Sequence, residues 1–134
     1  MLGRASYPLD FIVACRKRTD RQLKLYDALA KKAGKDMDAF AAEFFNTMVL
    51  ALDHSFMHRL RGKEGKDGNP LNEVRMLAAS LLDNEGIMTR DSTIKYDPAK
   101  SISGIALGEK IVLDRKRFGA LADGFFGEIA DKFS

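Results

Sequence analysis

Apolar and polar positions along this chain follow two periods, one helical up to about residue 85 and again after 114, the other strand-like between 93 and 113. On a wheel turning about 100° per residue, Leu23, Tyr26, Leu29, Ala30 and Ala33 share one side, so a first helix is predicted from about Thr19 to Ala33. Thr19 and Gln22 have capping-box spacing, and Gly34 is placed to end the helix. The preceding "LDFIVAC" (Leu9 to Cys15) suits either a strand or the start of a helix, and residues 1–8 are expected to be flexible. Asp36 is placed to cap a second helix running to about Arg61. Phe40, Phe44, Phe45, Met48, Val49, Leu52 and Phe56 wrap most of its circumference, the pattern of a central helix contacted on several sides. The connection "GKD" is short enough to make these two helices an antiparallel hairpin.

"RGKEGKDG" reads as a charged, flexible loop, and Asn69 followed by Pro70 opens a third helix to about Glu85 that Gly86 ends. Leu71, Val74, Leu77, Ala78 and Leu81 form its stripe. Beyond it "TIKYD" and "EKIVLD" alternate as strands do, with "ISGIAL" as a short third candidate. Asp114 then caps a closing helix with Phe118, Leu121, Phe125, Ile129 and Phe133 on one side. The expected fold is α+β: a helical N-terminal majority of three helices, a small antiparallel β-hairpin or sheet near 93–113, and a C-terminal helix, all in a single domain over 1–134.

Composition narrows the class. A chain of 134 residues with 46% hydrophobic and 31% charged side chains can bury a core without disulfide or metal staples. No apolar run reaches the ~18–20 residues that cross a bilayer, and the N-terminal stretch lacks the order of a signal peptide. The lone Cys15 has no partner for an internal disulfide, so a cytoplasmic setting is expected, with Cys15 as a small buried core residue.

Charge changes the picture more. Residues 1–35 carry nine Lys/Arg against three Asp/Glu, whereas 36–58 carry four acids and no Lys/Arg, within a net charge of only +3. Arg16, Lys17 and Arg18 precede the predicted first helix, whose back carries Arg21, Lys24, Lys31, Lys32 and Lys35. These eight residues are the candidate anion-binding set, suited to a nucleic-acid backbone or an anionic membrane surface, although helix backs are also charged simply because water solvates them. The interleaved aromatics that single-strand binders use for stacking are missing, and the second helix is too apolar to be a recognition helix. Such segregation also suits complementary faces within a homodimer.

Three other stretches carry candidate chemistry. His54 and His58 are four residues apart, so one helix would project both from one face, a spacing that can chelate a metal ion. Glu43 lies about 16 Å away along the helix axis, so further ligands such as Asp83 or Glu85 would come from elsewhere; there is no HExxH. The competing reading makes these histidines part of a polar seam with Asp36, Glu43, Thr47 and Arg61. "GKEGKDGNP" spaces Gly62, Gly65 and Gly68 around Lys63 and Lys66 but matches neither phosphate-loop pattern. Arg115, Lys116 and Arg117 occupy the first turn of the closing helix, where the dipole disfavours positive charge unless an anion is held there.

The segments "FMHRLRGKEGKDGNPLNEVRML" and "KIVLDRKRFGALADGFF" resemble those of small conserved bacterial proteins of actinobacterial type that carry no assigned function. The resemblance implies a stand-alone protein of this size and supplies no activity or catalytic residue. The residues themselves favour a small cytoplasmic binding or regulatory module, a homodimer or the partner of a nucleic acid or other anion, with no cofactor. The alternative is a metal-binding protein or small enzyme centred on His54 and His58, with Arg59 or Arg61 steering an anionic substrate.

Overall fold

A computed structural model describes residues 3–134 as a helical bundle with a long irregular connection laid against it. Helix α1 spans Leu9–Ala33, and the single 3-10 turn Gly34–Asp36 joins it to α2, Met37–Ser55. One helical turn, α3 (Arg61–Glu64), precedes α4 (Pro70–Asp83), and α5 (Arg115–Phe133) closes the chain. Helix α2 packs against α1, α4 and α5, as its broad apolar circumference requires. The centre of the core is aromatic: Phe45 stacks on Phe118, and Phe56 meets Tyr7, Phe125 and Phe126 at centroid distances of 5.0–6.1 Å.

The expected first-helix boundary is corrected. The helix starts ten residues earlier than Thr19, just after Pro8, because Ile12, Cys15, Thr19 and Leu23 form one continuous buried stripe. Thr19 is not a cap; its hydroxyl donates to the Cys15 carbonyl at 3.1 Å, which satisfies it inside the helix. Met1 and Leu2 lie outside the described residues, so the expectation of flexibility there stands apart from the structure. Gly3–Pro8, by contrast, are tied down: the Arg4 N–H donates to the His58 carbonyl (2.5 Å), the Leu60 N–H to the Arg4 carbonyl (2.8 Å), and the Tyr7 N–H to the Phe133 carbonyl (2.7 Å). A Cβ on Gly3 would stand 2.7 Å from the Leu60 Cα, so this pairing needs glycine. Burial of the Tyr7 ring pushes its phenol pKa up, and the hydroxyl stays protonated 3.1 Å from the Phe56 and Met57 carbonyls.

The α+β expectation is overturned. Among the described residues there is no β-strand and no sheet, and the segment from Asn84 to Asp114 makes only isolated bridges, Asp67 with Lys95 and Ile87 with Lys110. The alternation is real, because Ile94, Ile105, Ile111 and Leu113 are all buried. The backbone finds partners other than a neighbouring strand. Asp91 and Asp97 accept from the N–H groups of Thr93 (2.8 Å) and Ala99 (3.0 Å), turning the chain at both ends of "TIKYD". The Tyr96 hydroxyl donates to the Ile105 carbonyl at 2.5 Å. Buried Glu73 on α4 accepts the N–H groups of Ile102 (3.0 Å) and Ser103 (2.8 Å), so one carboxylate takes donors that a sheet would have used. The connection crosses α5 at Gly124, where a Cβ would come within 2.9 Å of both Ile102 and Pro70.

Candidate anion-binding surface

Along α1, Lys17, Arg21, Lys24 and Lys31 recur at three-, four- and seven-residue intervals, aligning them in a ridge about 21 Å long. All four are exposed, as are Arg18 and Lys32 beside them and Lys35 in the following turn. None of these seven makes an ion pair among the described residues. Arg18 instead turns a guanidinium nitrogen toward the Cys15 sulfur at 3.7 Å, and Cys15 is buried. Arg16 stands apart from the rest of the candidate set. It pairs with Asp20 at 3.2 Å and with Asp123 of α5, so its charge is already satisfied.

The acids of α1 explain why the ridge is so clean. Asp20 faces Arg16, and Asp27 receives both Nε (2.9 Å) and Nη2 (3.2 Å) of Arg115 from the first turn of α5. Both stand three or four residues from lysines of the ridge, but their carboxylates are taken by Arg16 and Arg115 instead. Arg115 is therefore a structural clasp, whereas Lys116 and Arg117 are exposed at the same end of α5 and extend the positive field around the corner from Asp27. Asp114 caps this helix by accepting from the Arg117 N–H at 2.7 Å, which offsets part of the unfavourable basic first turn.

His54 and His58 are not brought together as a helical pair. Helix α2 stops at Ser55 instead of continuing to Arg61, because residues 58–60 take their backbone partners from Arg4, which a helix could not offer. His58 adopts a left-handed conformation with φ 67°, and both rings are exposed. His54 lines an open groove between α2 and α4 with Leu50, Met57, Ala78 and Leu82, whereas His58 lines a second depression with Arg4, Tyr7 and Phe11. No group of three His, Cys, Asp or Glu close enough to share an ion occurs among the described residues.

No family model matches the chain, and neither the curated proteins nor the solved structures compared with it contain a match. The functional reading therefore rests on this chain's own residues. Among the described residues no helix is long and apolar enough to cross a membrane.

The loop "RGKEGKDGNP" proved the least like its sequence reading. Glu64 is fully buried, not solvated, and its carboxylate is held by three arginines. Arg75 contacts both oxygens, one through Nη2 and the other through Nε at 3.3 Å; Arg59 and Arg61 each approach to 3.5 Å. Arg59 is itself buried, lies 5.4 Å over the Phe125 ring, donates to the Phe56 carbonyl at 3.1 Å and reaches Asp53 at 3.3 Å. Its Nε has no partner, an orphan among otherwise satisfied groups. Arg61 continues outward to the Asn72 amide oxygen (3.1 Å) and the Thr93 hydroxyl (2.7 Å). Thr93 in turn donates to Asp91 at 2.6 Å, and this hydrogen bond holds the Asp91 carboxyl below its ordinary 3.8 with help from Arg61 and Arg75. The cluster contains no nucleophile, and its central carboxylate is neutralised on every side, so its work is to lock residues 59–75 onto the bundle.

Asn69 does double duty there. Its Oδ1 caps α4 by accepting from the Asn72 N–H at 3.1 Å, and its Nδ2 donates to the Glu64 carbonyl at 2.6 Å and to Asp67 at 2.8 Å. Asn69→Ala is expected to lower unfolding stability by about 2 kcal/mol, combining a lost cap with stranded polar groups. Urea titration of Asn69→Ser beside it separates the two contributions, since serine can retain the cap and loses the amide donors without adding a charge beside Asp67.

Proposed function

We propose that this protein is a binding module that docks a phosphate-bearing partner on the α1 ridge, acting by attachment rather than catalysis and, with its single cysteine buried, in a cytoplasmic setting. One observation carries the reading: seven exposed cations from Lys17 to Lys35 have no ion pairs among the described residues, while the two acids within that stretch are turned aside into pairs. A helix back that is merely solvated gains from interspersed acids at three or four residues' distance. Here Asp20 and Asp27 stand at those distances but pair with Arg16 and Arg115, which leaves the lysines of the ridge without ion pairs among the described residues.

The test is binding to three polyanionic probes at low ionic strength: a short DNA duplex, a single strand, and vesicles of equal parts phosphatidylcholine and phosphatidylglycerol. At least one is expected to bind, with affinity falling by about two orders of magnitude or more as salt rises from ~50 to ~200 mM. No binding to any of them at low salt would overturn the proposal.

A further inference from the structure

Resting on that reading, we propose that the partner is an anionic lipid surface, with Leu25, Leu29 and Phe40 seated among the headgroups and acyl ends while Arg18, Arg21 and Lys32 beside them engage lipid phosphates. The residues along one edge of the basic surface point this way: Leu25 and Leu29 neighbour Arg18, Arg21 and Lys32, on the flank turned away from Lys24 and Lys31. From Lys17 to Ala33, every exposed position of α1 is Lys, Arg, Leu or Ala. No exposed Asn, Gln, Ser or Thr is available there to read a base edge, and α1 itself exposes no aromatic over that stretch for base stacking. Leu25 and Leu29 are 60% and 56% exposed, unusually open for leucines one turn apart on a helix that has a buried side available. Arg21 lies one turn before Leu25, and Lys32 follows Leu29 by three residues, so cations bracket the leucines on the helix surface.

Helix α2 adds a third apolar side chain at the same end of the hairpin. Phe40 is 50% exposed and stacks on Phe44, which stacks on Tyr26 of α1, so its ring is braced rather than free to fold inward. Cationic and bulky apolar side chains mixed on one exposed face form the pattern of a helix that lies in a membrane interface. Each basic residue near an anionic bilayer strengthens binding about fivefold, and the apolar side chains supply the contribution that salt does not screen.

Self-association fits this face less well. A second copy meeting the first across a two-fold axis would bring the patch onto itself, and with it the same cations. Arg18, Arg21, Lys24, Lys31, Lys32 and Lys35 outnumber the nearby Asp36, Asp38 and Glu43 by six to three, so the like-charge contacts are not fully offset. An anionic bilayer has the opposite charge and takes up the leucines as well.

Vesicle co-sedimentation tests the proposal, using the full chain, the phosphatidylcholine–phosphatidylglycerol vesicles named above, vesicles of phosphatidylcholine alone, and the DNA probes. The expected result is binding to the anionic vesicles only, weakened about tenfold in Leu25→Gln/Leu29→Gln and further by Phe40→Gln. Glutamine preserves helix propensity at these exposed sites, and unchanged far-UV circular dichroism and melting verify the fold. Binding to DNA but not to vesicles overturns the lipid assignment and leaves the anionic reading intact. Binding to none of the probes overturns both. Vesicle binding indifferent to the leucine substitutions overturns their insertion, and a concentration-dependent dimer in light scattering that the same substitutions dissolve makes the patch a self-association face instead.

Discussion

Glu64→Gln is expected to lower the unfolding free energy by about 3–5 kcal/mol, a large share of the total for a domain of this size. Glutamine retains the shape of glutamate and removes the charge that holds three guanidinium groups. Arg61 and Arg75 are partly exposed and can turn toward water, so their loss is modest. Arg59 cannot, because its side chain is fully buried and only Asp53, at 3.3 Å and partly exposed, would remain to balance it. The penalty is therefore dominated by one stranded guanidinium in an aromatic core. Urea denaturation reads it as a lower midpoint at unchanged slope. Combining Glu64→Leu with Arg59→Met should recover much of the loss, since removing both charges removes the desolvation cost of each. A loss under about 1 kcal/mol in Glu64→Gln would mean that water or Asp53 already carries Arg59, and the lock on residues 59–75 would then have another origin.

Charge reversal on the ridge has the largest expected effect on binding. Lys24→Glu with Lys31→Glu changes the local charge by four units at two points about 10.5 Å apart on one face. At about 1 kcal/mol per unit near an anionic surface, affinity for the polyanion that binds should fall roughly a thousandfold. The fold should be nearly indifferent, because both lysines are exposed and unpaired. New repulsion of the residue 24 carboxylate by Asp20 and Asp27 costs only a few tenths of a kcal/mol. Lys100→Glu with Lys110→Glu makes the same change of net charge on the irregular connection and is expected to leave binding close to wild type. If the two double variants weaken binding equally, net charge rather than the ridge is responsible.

The helices themselves were legible because their signals are local. Asn69 and Asp114 each cap a helix through an N–H three residues on, the whole predicted stripe of α5 is buried, and that of α4 is buried except for Leu81, which is half-buried. Local signals also misled where two structures satisfy them equally. Thr19 and Gln22 fit a capping box, but a threonine hydroxyl bonds as readily to the carbonyl four residues back, and buried Ile12 and Cys15 carried the helix through. Alternation within "TIKYD" and "EKIVLD" reports that Ile94, Ile111 and Leu113 are buried, which an irregular chain pinned by Glu73 and short aspartate turns provides without a strand partner. The helical spacing of His54 and His58 presupposed a helix that the Arg4 backbone interrupts from 50 residues and more away.

What this sequence determined by itself is therefore the existence of the four long helices, the caps at Asn69 and Asp114 and a first third rich in cations, all consequences of contacts within one or two turns. The tertiary structure decided what those charges mean. It brought Arg115 of α5 to Asp27 and Asp123 to Arg16, the residue that also pairs with Asp20, and it folded Glu64 inward among three arginines where a solvated loop was expected. Charge depends on composition, but pairing and burial depend on which distant segment arrives alongside, and no periodicity along the chain encodes that arrival.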